Sequence, residues 1–226
     1  MRIEKRYGPA ATALICHLEN GERLVAESGA MMALQGKFDI ETTTRQNGEG
    51  GLLKGLKRML SRQSFFMNHF TARTAGEIWL GSPLPGDMFH HSMNGEKIVV
   101  AGGNFLASAG NISIDLEWQG LKSFFSGENL FWIKARGHGE LLASSFGFIY
   151  QIEVDGEYIV DTGHIVAFEE TLNFEISRAS RNWLEAYLSG EGFVCRFKGR
   201  GKLWCQSHNP RSYGLELRPY LRAKRV

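Results

Sequence analysis

Apolar and polar positions along this 226-residue chain recur in the same order in three successive segments. Each segment has an apolar or alternating run, then Asn-Gly or Asp-Gly, then a short apolar return run that leads to a glycine. The three dipeptides begin at Asn20, Asn94 and Asp155. Self-similarity at a long period is the signature of a repeat architecture. The sequence therefore predicts one β unit that is used three times around a shared core.

The dipeptides predict tight turns between strands. Asn-Gly and Asp-Gly between apolar runs are the strongest short-range signal for a hairpin, because a type I′ turn needs two residues at positive φ. We expect the return strands over residues 23–26, 97–100 and 158–160. Glu22, Glu96 and Glu157 follow the turns in all three segments, which indicates a requirement of the fold rather than an acid–base pair.

The second half of each segment carries apolar residues at i, i+3 and i+4, a spacing typical of a short helix with one buried stripe. These predicted helices cover residues 56–61, 121–126 and 184–189. A strand, a glycine turn and another strand follow each helix. We therefore predict an all-β protein with three internal repeats around a pseudo-threefold axis and a short helix in each repeat.

The domain prediction follows from the spacing of the repeats. We expect one compact domain over residues 1–226, with repeats over roughly 8–83, 84–144 and 145–209 and a basic tail over 210–226. The boundaries fall at Pro83-Leu84-Pro85-Gly86 and Ser144-Ser145-Phe146-Gly147. Neither connection resembles a flexible linker. The default expectation for the tail is a solvated or frayed chain end.

Composition narrows the class of protein only slightly. Hydrophobic residues make up 43% and charged residues 22%, which is ordinary for a soluble globular protein. A net charge of +2 gives no general reason to expect nucleic acid or an anionic membrane as a partner. No apolar stretch approaches the ~20 residues that cross a bilayer. The apolar run over 10–16 leads directly into the Asn20-Gly21 turn, so we interpret it as a strand and expect a cytoplasmic protein.

Several motifs resemble a known family when taken together and in order. They are Gly29-Ala30-Met31, Gly50-Gly51, Pro83-Leu84-Pro85-Gly86, Asp161-Thr162-Gly163-His164-Ile165-Val166-Ala167 and Ser189-Gly190-Glu191-Gly192. Over roughly residues 8–209 the chain resembles the mitochondrial-biogenesis (altered inheritance of mitochondria) family, formerly a domain-of-unknown-function family. The resemblance implies a fold similar to the tryptophan RNA-binding attenuator protein, a short variant of the double-stranded β-helix. It supplies no catalytic residue, and its fungal members are associated with the integrity of the mitochondrial inner membrane.

Candidate chemistry in the sequence is sparse. His90 and His91 are adjacent, which sends their side chains to opposite faces of a strand, so they do not form a cupin-like metal pair. His164 follows Asp161 by three residues in a glycine turn, an arrangement that orients a loop. The nucleophile-elbow and phosphate-loop motifs are missing. We expect no catalytic residue, no metal and no cofactor.

Two cysteines leave a question of geometry open. Cys195 and Cys205 flank a predicted hairpin turn at Lys198-Gly199-Arg200-Gly201. A three-residue loop would place them opposite one another, whereas a two-residue loop would put them out of register. Without a secretory context we favour reduced, buried thiols.

The most suggestive segment is a basic amphipathic helix predicted near residue 56. One of its faces is apolar and the other carries Lys54, Lys57, Arg58 and Arg62. Such a helix lies on an anionic membrane or docks a partner. The corresponding helices of the other segments have the apolar stripe without the charge, so packing on the repeat's own sheet is the better account. The excess charge stays free to contact a partner.

We expect a non-catalytic scaffold or interaction protein that self-associates or contacts a protein or an anionic membrane surface. Nucleic acid is the less favoured partner. One alternative is a small-molecule or nucleic-acid binder that uses grooves between repeats. The other is an unrecognised hydrolase or isomerase. Five tryptophans, which we expect in the core, are Trp79, Trp118, Trp132, Trp183 and Trp204.

Overall fold

The computed structural model describes residues 1–44, 66–118, 131–178 and 193–221, and this part of the chain is predominantly β. The strands are β1 (Arg2–Arg6), β2 (Ala13–Leu18), β3 (Arg23–Glu27), β4 (Met31–Gln35), β5 (Phe38–Thr44), β6 (Phe66–Ala72), β7 (Gly76–Leu80), β8 (Met88–Ala101), β9 (Phe105–Trp118), β10 (Phe131–Ser144), β11 (Ile149–Asp161), β12 (Ile165–Glu169), β13 (Asn173–Arg178) and β14 (Phe193–Gln206). A helix, α1, covers Pro210–Leu217, and short 3-10 turns cover Thr162–His164 and Arg218–Tyr220. The all-β prediction is confirmed.

Hydrogen bonding joins the strands into two sheets whose strand pairs are all antiparallel. The smaller sheet has the order β1-β2-β7-β4. The larger sheet has the order β11-β14-β12-β8-β10-β9-β3-β6-β5, and β13 pairs with β14. The larger sheet is continuous because several of its strands pair with more than one neighbour. Strand β8 pairs with β10 and β12, and β14 pairs with β11, β12 and β13.

The chain is described below in thirds, which are the predicted repeats over roughly 8–83, 84–144 and 145–209. The last strand or strands of each third lie between the earlier strands of that third. In the first third, β7 pairs with β2 and β4, and β6 pairs with β3 and β5. In the middle third, β10 pairs with β8 and β9 along its whole length. In the last third, β14 pairs with β11, β12 and β13. The order of pairing is therefore the same in each third.

Two junctions join successive thirds, and each pairs a return strand with a strand of the following third. The first junction joins β3 to β9, and the second joins β8 to β12. The paired residues at the first are Leu24↔Ala109, Val25↔Ser108 and Ala26↔Ala107; at the second they are Ile98↔Glu169, Val99↔Phe168 and Val100↔Ala167.

The predicted hairpins are wrong. Strands β8 and β11 run straight through Asn94-Gly95 and Asp155-Gly156, and β2 does not pair with β3. A type I′ turn needs both central residues at positive φ. Among the described non-glycine residues only Tyr7 has a positive φ, so only the glycine of each dipeptide does, with Gly95 at 100° and Gly156 at 111°. Each long strand continues through its glycine and keeps the same partner on both sides of it, β10 for β8 and β14 for β11.

The predicted glycine turn at residues 198–201 is also wrong. Strand β14 continues through it, with Gly199 opposite Gly156. Cys195 and Cys205 therefore lie on one strand, separated by about 30 Å if the strand is straight. Because no hairpin loop lies between the two cysteines, neither the two-residue nor the three-residue loop considered from the sequence applies. All three cysteines of the chain are free and buried, as favoured from the sequence.

The core consists of three clusters of buried apolar side chains, which follow one another along the sheets. Trp132 and Trp204 are buried, as predicted, whereas Trp79 is half-buried and donates a hydrogen bond from Nε1 to Glu77 Oε1 at 2.9 Å. The indole of Trp118 and the whole of Trp183 lie outside the described positions. The apolar run before Asn20 forms the buried strand β2, which confirms its interpretation as folded protein.

The remaining predicted elements have mixed outcomes. The predicted helices over 56–61, 121–126 and 184–189 all lie outside the described residues. The predicted boundaries fall at or next to the ends of strands, and Gly86 and Gly147 form an isolated bridge there.

The first part of the basic tail forms helix α1. The helix begins after Asn209, whose side chain accepts hydrogen bonds from the backbone N–H groups of Arg211 and Ser212. Tyr213 of α1 packs on Phe146, with ring centroids 5.1 Å apart.

Candidate functional site

The sequence-predicted contact residues Lys54, Lys57, Arg58 and Arg62 lie outside the described residues, so the structure assigns them no position. The described residues contain no helix long and apolar enough to span a membrane. They also contain no group of three or more metal-ligating side chains. The structure instead draws attention to two strand edges that sequence reasoning did not single out.

The first edge is the outer side of β4, here called the Met31 edge. Strand β4 pairs with β7 and, among the described residues, with no other strand. Met31 and Met32 are 41% and 63% exposed. The strands at the same place in the other thirds, β9 and β12, are paired on both sides where they cross the junctions, and their residues 105–108 and 165–168 are buried.

The second edge is the outer side of residues 158–161 in β11, here called the Ile159 edge. These residues pair with β14, and no second strand covers them in the described part of the chain. Tyr158 and Ile159 are 42% and 47% exposed. At the two formed junctions the corresponding Leu24 and Ile98 are fully buried. Both edges thus expose apolar residues that their counterparts bury.

Charge separates these two edges from other strand edges. A charged side chain on an edge strand opposes pairing with another chain. Strands β1, β5 and β13 each pair with one described strand only and carry the charged residues Arg2, Glu4, Lys5, Arg6, Asp39, Glu41, Glu175 and Arg178. Strand β4 has no charged residue, and residues 158–160 have none. The apolar edges lack the usual protection against strand addition.

The carboxylates that flank the Ile159 edge are already engaged. Glu157 makes ion pairs with Arg196 and with Lys198 Nζ, the latter at 3.5 Å. Asp161 accepts hydrogen bonds from Gly163 N at 2.8 Å and Asn209 Nδ2 at 3.0 Å, so it caps the 3-10 turn. This confirms the loop-orienting role expected for Asp161. Neither carboxylate stands free to repel an approaching strand.

An open groove of about 760 Å³ lies beside the Met31 edge and contains the most enzyme-like cluster of the described residues. His17 lies between two carboxylates there, with Nε2 3.5 Å from Glu4 Oε2 and Nδ1 3.5 Å from Glu77 Oε2. No serine, threonine or cysteine hydroxyl or thiol lines this groove, so its lining offers the cluster no side-chain nucleophile.

Three histidines outside this groove have hydrogen-bonding partners. His90 Nε2 lies 2.6 Å from Glu140, whereas His91 Nε2 lies 2.6 Å from Glu96, which confirms that the two rings face opposite sides of the strand. Burial opposes ionisation of Glu96, but hydrogen bonds from its own backbone, His91 and the Asn94 N–H outweigh this and lower its pKa. His164 Nδ1 contacts the backbone oxygen of Gln206 at 2.8 Å.

Burial also removes the cysteines as nucleophiles. It raises the pKa of Cys16, Cys195 and Cys205 to about 12, so each stays a thiol at neutral pH. Burial likewise raises the pKa of Glu27 to about 7, a perturbation that sequence reasoning missed. Glu27 ends β3 beside the first junction.

Comparison with known proteins gives a consistent result. The family model for mitochondrial biogenesis AIM24 matches residues 3–208. An uncharacterised protein of Streptococcus pyogenes is 29% identical over 210 residues, which cover 90% of this chain and 84% of that protein. An uncharacterised protein of Treponema pallidum is 26% identical over 148 residues, 62% of this chain and only 43% of its own length.

A solved structure shows the same fold. The crystal structure of another Streptococcus pyogenes protein aligns with a TM-score of 0.81 and 27% identity, covering 97% of this chain and 99% of that one. None of these matches assigns a reaction or a ligand. Because the family model spans almost the whole sequence, the chain belongs to the mitochondrial biogenesis AIM24 family.

Proposed function

We propose that this chain is a non-catalytic scaffold made of three similar β units, which holds partner proteins by strand addition at its open edges. The observation that carries the proposal is the Met31 edge: an uncharged, exposed strand whose counterparts β9 and β12 are paired and buried. An exposed, apolar edge strand is a template for pairing with another chain. An extended segment added there gains main-chain hydrogen bonds and covers the methionines.

The repeat interpretation is supported by strand register. Residues 24, 98 and 159 lie four positions after Asn20, Asn94 and Asp155, and 24 and 98 occupy the same place in the two junctions. The units are then related by similar successive rotations about one axis, as in the attenuator-like arrangement predicted from the sequence. The predicted pseudo-threefold closure would join the Met31 and Ile159 edges as a third junction within one chain. In the described part of the chain β4 and β11 do not pair with each other, so the two halves of that junction are open.

The experiment is site-specific photo-cross-linking in cells at Met31, with Ile40 as the matched control. Ile40 is 51% exposed on β5, an edge that carries Asp39 and Glu41. We expect a discrete cross-linked product at Met31 and none at Ile40. If neither position gives a cross-linked product, or both give the same unresolved mixture of products, the Met31 edge is not an interaction site and the proposal is wrong.

The membrane-proximal form of this role rests on the sequence of the basic segment alone. Changing Lys54, Lys57 and Arg58 together to Glu reverses its charge, so binding to anionic vesicles should be lost. Vesicle sedimentation at low and moderate salt measures this. Arg23, Lys37 and Arg218 changed together to Glu serve as the control, because these side chains are exposed and form no ion pair within the described part of the chain. Equal binding by both variants, or no binding by the parent protein, removes the membrane from the proposal.

A further inference from the structure

We propose that the partner at the Met31 edge is a second copy of this chain, which contributes its Ile159 edge in a head-to-tail, antiparallel strand pair. The proposal rests on the scaffold function above and names its partner. The two edges are the unpaired halves of a junction that the chain already forms twice within itself. Each open edge has the same strand position as one side of a formed junction. The partner that fits it best is therefore the other side of that junction, which a second copy of the chain supplies.

The formed junctions define what the new contact needs. Each uses a return strand after Asn-Gly and the first half of the following third's second strand. The Ile159 edge is the return strand that follows Asp155-Gly156, and β4 is the second strand of the first third. Each edge therefore has the half that the other lacks.

Register follows from the partners within each third. Ala107 lies opposite Leu142 and pairs with Ala26 across the first junction; Ala167 lies opposite Trp204 and pairs with Val100 across the second. The bulge in the second strand of each third fixes the equivalence: Met31 and Ala33 lie opposite Leu80 and Trp79, as Phe105 and Ala107 lie opposite Ala143 and Leu142, and as Ile165 and Ala167 lie opposite Cys205 and Trp204. Ala33 is therefore the counterpart of Ala107 and Ala167, so it should pair with Asp161, the counterpart of Ala26 and Val100.

Continuing antiparallel from this pair places Ile159 of one copy opposite Gln35 of the other. The equivalent residues at the formed junctions are paired: Leu24 with Ala109 at the first and Ile98 with Glu169 at the second. Ile159 and Gln35 are both exposed. A cysteine at each position tests the register without opening the core.

The contact is heterologous, because each copy offers a different edge to each neighbour. Such contacts close into rings of two or more copies or continue as filaments. The decisive variants block one edge each: Met31→Lys and Ile159→Lys. A charge on an edge strand opposes strand addition. Ile40→Lys on β5 is the matched control, because it adds the same charge to another exposed apolar edge residue.

The first test is native mass spectrometry and light scattering of the purified chain at about 50 µM. We expect an assembly of two or more copies of the 25.3 kDa chain for the parent and for Ile40→Lys. Each blocked variant alone should be monomeric. An equimolar mixture of the two blocked variants should form dimers, because each retains the edge that the other has lost. A monomeric parent, or blocked variants that assemble like the parent, overturns the proposal.

The second test is a disulfide between Ile159→Cys and Gln35→Cys in one chain, under mild oxidation. We expect covalent multimers, with Ile159→Cys and Glu41→Cys as the control pair that does not link. The native cysteines are buried and do not interfere. A covalently closed monomer would show that the third junction forms within one chain, and no linkage would show that the edges do not meet; both results contradict the second-copy proposal.

The two proposals fail separately. If the purified chain is monomeric but the photo-cross-linker at Met31 captures a different protein in cells, the second-copy proposal is wrong and the scaffold proposal stands. If the cross-linker captures nothing, both are wrong.

Discussion

The two formed junctions and the two open edges use corresponding strands but differ in burial. At the junctions Leu24, Ile98 and Val99 are buried, with an exposed fraction of 1% or less. At the open edges Met31 and Ile159 are apolar but more than 40% exposed. The other edge strands carry charge. The difference shows that apolar character in this chain follows the position in the unit, whether or not the position is covered within one molecule.

The largest expected effect comes from truncating corresponding side chains at a formed junction and at an open edge. Leu24→Ala removes a fully buried side chain at the first junction and should lower the free energy of unfolding by about 3 kcal/mol. Ile159→Ala truncates the corresponding exposed side chain and should cost less than about 0.5 kcal/mol. Urea unfolding at submicromolar concentration, where association is weak, measures both. Equal costs would mean that the Ile159 edge is already covered within the monomer.

A second prediction sharpens the comparison through pH. Burial raises the pKa of Glu27, next to the first junction, to about 7. A carboxyl whose pKa is raised by folding contributes its full stability below its ordinary pKa of 4.5 and loses it as pH rises through 7. Glu27→Gln should therefore stabilise the protein by about 2 kcal/mol at pH 8, allowing for partial exposure, and have little effect at pH 5.

Urea midpoints of parent and variant at the two pH values measure the effect of Glu27. Glu41→Gln, an exposed carboxyl of β5, is the control and should leave the pH dependence unchanged. A Glu27→Gln variant that follows the parent's pH profile would contradict the assignment of Glu27 as the titrating group.

The smallest effect concerns the ion pairs across the second junction. Glu170 contacts Lys134 Nζ at 2.9 Å, Lys97 Nζ at 3.5 Å and Arg136 Nη2 at 3.7 Å. The hydrogen bond from Lys134 and the neighbouring positive charges outweigh burial and lower the pKa of Glu170. Its stabilisation is therefore present above the ordinary pKa of 4.5 and is lost as pH falls through the lowered value.

Glu170→Gln should cost about 1 kcal/mol at pH 7 and low salt, and less in 1 M NaCl, because partly exposed ion pairs are screened. Thermal unfolding at both salt concentrations measures the loss. A cost that does not change with salt would point to lost packing rather than lost charge.

Sequence reasoning placed most strands but misread how they connect. The runs before and after Asn94-Gly95 and Asp155-Gly156 are strands, as predicted, yet each pair is one long strand rather than a hairpin. The dipeptide was a sound local signal, because glycine does adopt positive φ at both places. Tertiary pairing with β10 and β14 overrode the turn by hydrogen-bonding both halves to the same long partner.

The candidate site was harder to predict. The contact residues chosen from the sequence were selected for their positive charge; they are Lys54, Lys57, Arg58 and Arg62. The Met31 edge differs from other strand edges because it has no charged residue. The run Met31–Gln35 is an uncharged strand in a protein whose other edge strands are charged, and that contrast was available in the sequence. It became informative only once the sheet order showed which strands are edges.

The sequence by itself determined the β class and the family, because apolar spacing and glycine positions are local properties of the chain. Only the tertiary structure decided which strands are neighbours, which junctions are formed and which edges stay open. Strand pairing joins residues far apart in the chain, such as Ala26 and Ala107, and local preferences are the same whether or not such a partner is present.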